Sequence, residues 1–62
     1  MTQLPAHIER AVHKHAAKEF RLPGVRQWAA QYGMHTYDEY LEDVLRIARL
    51  AYEQGLPVLD NI

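Results

Sequence analysis

TYDEYLEDVLRIARLAYEQGLP, residues 36–57, carries a helix start, an apolar face and a helix stop in one run. Thr36 and Glu39 have the T-x-x-E spacing of a capping box, in which each side chain satisfies an amide that the first turn leaves unbonded. Asp38 and Glu39 place negative charge where the helix dipole favours it. Glu42 stands four residues before Arg46, the favourable order for a helical ion pair. Gly55 supplies the stop, Leu56 the apolar residue that follows a glycine cap, and Pro57 forbids resumption. The stretch predicts one long helix over about residues 37–54.

Upstream, Val25, Trp28, Ala29 and Tyr32 fall on one face of a short helix over about 25–32, ended by Gly33. Trp28 is the largest apolar side chain there and is expected to contribute most to the core. Before it, Ile8, Val12, Ala16 and Phe20 recur every four residues, with Ala11 and His15 beside them. They predict a first helix over about 5–21, opened by Pro5, whose φ suits a first turn. Leu22-Pro23-Gly24 is read as the break after it. The tail Val58–Ile62 is either docked through Val58 and Leu59 or frayed. The expected fold is all-α, one three-helix domain over residues 1–62, packed as a homodimer.

The homodimer follows from size. A chain of 62 residues buries only about 60% of its unfolded surface and needs reinforcement. With no cysteine, neither a disulfide nor a thiolate zinc site supplies it, which leaves oligomerisation. The lack of cysteine is compatible with a reducing cytoplasm. The N-terminus lacks a signal-peptide pattern and no apolar run approaches the roughly 20 residues of a membrane span, so a cytoplasmic protein is expected. The opening methionine adds the expectation of a complete small reading frame.

The net charge of −1 is unevenly spread. Residues 1–31 set Arg10, Lys14, Lys18, Arg21 and Arg26 against Glu9 and Glu19, a balance of +3. Residues 32–62 set Arg46 and Arg49 against Asp38, Glu39, Glu42, Asp43, Glu53 and Asp60, a balance of −4. The simplest consequence is attraction between the halves, within one chain or across an antiparallel dimer. The third helix also has an apolar arc of about 160°, where packing on one neighbour needs roughly 100°. The excess points to contact on two sides, and Leu50, among charges on the outer face, adds to it.

Catalytic chemistry finds little to work with. Serine and cysteine are absent, and of the hydroxyls Thr2 and Thr36 the second is committed to capping. So short a chain leaves little room for a dry cleft. Of His7, His13, His15 and His35, no two have the i,i+3 or i,i+4 spacing of helical metal ligands. His15 and Glu19 do, and are read as a packing-boundary contact. No enzyme, metal or cofactor is expected.

Val25 to Thr36 resembles the first helix and turn of a helix-turn-helix, with small Ala29 four residues before the turn glycine and polar Thr36 opening the next helix. The resemblance implies a dimeric DNA-binding regulator. It covers about twenty residues and weakens in the second helix, where inward positions hold Glu39 and Glu42. The acidic opening Tyr37-Asp38-Glu39 also repels phosphate. Any nucleic-acid contact would then fall to Arg10, Lys14, Lys18, Arg21 and Arg26. The reading favoured on sequence is a regulator, adaptor or inhibitor of the kind phages and mobile elements encode. It would bind another protein through Tyr40, Ile47, Leu50 and Tyr52, rimmed by Asp38, Glu39, Glu42 and Asp43.

Overall fold

Val12, Ala16, Ala29 and Ala48 have no solvent exposure, and around this seam of small side chains the helices meet. The computed structural model describes residues 3–62, so Met1 and Thr2 (the other candidate hydroxyl) lie outside the described residues. The helices are α1 (Ala6–Phe20), α2 (Pro23–Gln31) and α3 (Tyr37–Glu53), followed by a 3-10 turn, η1 (Leu59–Asn61). Among the described residues there is no strand, and no helix is long and apolar enough to cross a membrane.

The α3 start is the predicted capping box. The Glu39 amide donates to Thr36 Oγ1 at 3.3 Å, and the Thr36 amide donates to Glu39 Oε1 at 3.1 Å. Its stop is equally well specified. Gly55, at φ +72°, bonds back to the Tyr52 carbonyl, and the Leu56 amide reaches the Ala51 carbonyl at 2.9 Å, which together form a Schellman cap. Gly33, at φ +82°, closes α2 in the same way, with Gly33 bonded to Ala30 and Met34 to Ala29.

Two boundaries differ from the sequence reading. Pro5 caps α1 from outside, in extended conformation, rather than occupying its first turn. Pro23 and Gly24 belong to α2: the break falls at Arg21 and Leu22, and Pro23 opens the next helix, where its missing amide costs nothing. The proline is a start signal here, not a stop.

α1 packs most extensively along α3. At its C-terminal end the Phe20 ring lies 5.8 Å from that of Tyr37 and 5.2 Å from that of Tyr40, so the two helices run antiparallel. Tyr40, Val44, Ala48 and Ala51 of α3 are buried, and Tyr37, Leu41, Leu45 and Ile47 are half-buried. The wide apolar arc is therefore covered largely by the chain itself. α1 lies along it, and Leu4, Met34, Val58 and Ile62 pack into the same core. The docked tail supplies the second side of contact that the width of the arc calls for. Val58 is buried, while Leu59 is 46% exposed.

Trp28 departs most from expectation. It is 49% exposed instead of anchoring the core. α2 is nine residues long, contacts α1 more than α3, and buries only Ala29 fully. Too little protein arrives to cover the rest of its apolar face.

Candidate functional site

With Trp28 and Tyr32 outside the core, α2 and the residue that caps its end present two aromatic rings to solvent. Tyr32 is 67% exposed, and the ring centres lie 5.0 Å apart at 48°. The i,i+4 spacing stacks them on one side of the helix. Both line an open groove whose far wall is α3, with Met34 and Leu45 as apolar lining and Glu39, Glu42 and Asp43 as acidic wall. Arg46 and Arg49 complete it.

The charges in this wall are differently engaged. Arg46 Nη2 lies 2.6 Å from Asp43 Oδ1, so its partner is Asp43 and not the expected Glu42. Glu42 is left exposed beside the aromatic pair. Glu39 is held by the cap: His35 and Thr36 amides and the Thr36 hydroxyl donate to its carboxylate. These donors, the His35 amide foremost, keep its pKa below the ordinary value of 4.5.

The eight residues assigned to a protein-binding face do not share one surface. Asp38 is exposed in the first turn of α3, while Glu39, Glu42 and Asp43 line the groove. Tyr40 is a correction: it is 8% exposed and packed on Phe20, which removes it from any surface. Burial, then the charges of Glu19 and Asp43 and the nearby Tyr37, raise its pKa above 10.0. Ile47 is half-buried. Leu50 and Tyr52 are 48% and 39% exposed, but, two positions apart on the helix, they point about 160° away from each other around the axis. Tyr52 belongs to a second, more apolar groove with Ile8, Ala11, Leu56 and Leu59, between the start of α1 and the tail.

Sequence reading missed Trp28 and Tyr32 as surface residues. The available signal was the shortness of their helix, bounded by Pro23 and Gly33. Arg10, Lys14, Lys18, Arg21 and Arg26 are all exposed. The observed ion pairs are local: Glu9–His13 at 3.7 Å, Glu19–His15 at 3.9 Å and Asp43–Arg46. Among the described residues, none of them joins the basic half to the acidic half. Nor does any cluster of three or more histidine or carboxylate side chains there have metal-holding geometry.

In the helix-turn-helix comparison, Ala29 is fully buried, as a tight crossing requires. The helix after the turn, however, is the central packing helix, and its outer side carries Asp38, Glu39 and Glu42. Comparison with models of known families, with curated proteins and with solved structures finds no match.

Proposed function

We propose that this chain is a non-enzymatic interaction protein that binds and modulates another protein through the α2–α3 groove. The observation that carries the reading is the exposed Trp28–Tyr32 pair, two large rings held 5.0 Å apart against an acidic wall. Tryptophan and tyrosine dominate binding hot spots because each buries a large rigid area and keeps a polar atom for orientation. A monomeric protein has little reason to leave such a pair uncovered. The acidic rim orients and selects the partner more than it adds affinity. In this reading the protein works in the cytoplasm, and a homodimer is its form in which Tyr52, Leu56 and Leu59 are covered by a second copy.

The test uses tagged wild type and a Trp28→Ala/Tyr32→Ala double variant in parallel affinity captures. A partner held stoichiometrically by wild type and lost from the variant, with circular dichroism unchanged, is the expected result. Partners indifferent to both rings overturn it. Light scattering at micromolar concentration reads the dimer, and a strict monomer refutes that part alone.

A further inference from the structure

We propose that the outer face of α1 binds the phosphate backbone of nucleic acid, independently of the α2–α3 groove. Val12 and Ala16, fully buried, define the inward direction of the helix. At about 100° per residue, Arg10, Lys14, Lys18 and Arg21 all lie within about 40° of the opposite pole. The two carboxylates of α1 stand about 140° from that pole, half-exposed Glu9 beside His13 and Glu19 beside His15. The outward half therefore carries no negative charge. Its four cations form a straight stripe about 16 Å long, opposite which a duplex presents about ten phosphates.

The chemistry of the stripe favours phosphate over other anionic partners. Protein interfaces take their energy from aromatic and aliphatic anchors and are depleted in lysine. Here the outward side holds only Ala11 and Ala17 between the charges. A membrane-surface helix buries its apolar face in the lipid, but Ile8, Val12 and Phe20 are turned into the core.

The net charge of −1 does not oppose this. α1 and α3 pack face to face with their charged sides outward, in a body whose Cα envelope is 18 Å across its short directions. That is about twice the screening length of roughly 8 Å at physiological salt. The α3 carboxylates are thus largely screened from a ligand on α1.

Fluorescence anisotropy of a labelled duplex of arbitrary sequence, titrated with the full chain, tests the proposal. Four neutralised phosphates give a slope of log affinity on log salt near −3.6, a loss of about 150-fold between 50 and 200 mM. Lys14→Gln/Lys18→Gln removes two contacts and is expected to halve the slope, leaving a loss of about 12-fold. The Trp28→Ala/Tyr32→Ala variant is expected to bind the duplex like wild type, which separates this site from the groove. No binding at 50 mM salt, a slope unchanged by the lysine substitutions, or tighter binding to phosphatidylserine vesicles than to the duplex overturns the proposal.

Discussion

Thr36 and Glu39 bond to each other in both directions across the first turn of α3, and Glu39 reaches one residue further to the His35 amide at 3.1 Å. This carboxylate thus closes the Gly33–Thr36 connection as well as capping the helix. Because the bonds favour its charged form, the Glu39 pKa is lowered in the folded chain. The stability it contributes is present above the unfolded value near 4.5 and is lost as pH falls through the folded value. Thermal melts at pH 7 and pH 3 should show a drop for wild type and a smaller one for Glu39→Gln. Thr36→Ala should cost about 1 kcal/mol at pH 7.

Two positions depend on a left-handed backbone. Gly33 and Gly55 have φ of +82° and +72°, and an added Cβ meets no atom within 4 Å at either. The cost of Gly33→Ala or Gly55→Ala is therefore conformational, about 1–2 kcal/mol each. In a domain of this size that lowers Tm by roughly 4–16 °C. Gly24 sits in the first turn of α2 with ordinary backbone and open space. Gly24→Ala should be neutral or stabilising, so melts of the three variants separate the two kinds of glycine.

The α1–α3 seam is expected to be sensitive in both directions. Val12 is the largest side chain with no exposure, and Val12→Ala should destabilise by about 2 kcal/mol from lost transfer energy and the cavity left. Ala48→Leu adds volume where the helices approach and should cost about 1–3 kcal/mol. Denaturant midpoints measure both. An Ala48→Leu variant as stable as wild type would show that the seam is looser than described.

Trp28 separates a core residue from a surface one. Truncating a buried tryptophan costs about 3–5 kcal/mol. Half-exposed Trp28, whose ring packs on Tyr32, should cost about 1–2 kcal/mol on truncation. Urea unfolding of Trp28→Ala, followed by circular dichroism, checks this. A loss in the larger range would return the ring to the core.

What the sequence determined is local. Thr36, Glu39, Gly33 and Gly55 act through bonds within a few residues of themselves, so helix ends and the all-α class could be read from their spacing. The inward faces of α1 and α3 were legible for the same reason, since apolar period fixes direction. Tertiary structure decided how much of each face is covered. The apolar arc of α3 reads as one side too many until Leu4, Val58 and Ile62 fold onto the core. Trp28 reads as core until α2 proves too short, with too few neighbours, to bury it. Even Arg46 chose Asp43 over Glu42, because side-chain reach and not spacing alone settles such pairs. Periodicity states which way a side chain points; only the assembled chain states what it meets there.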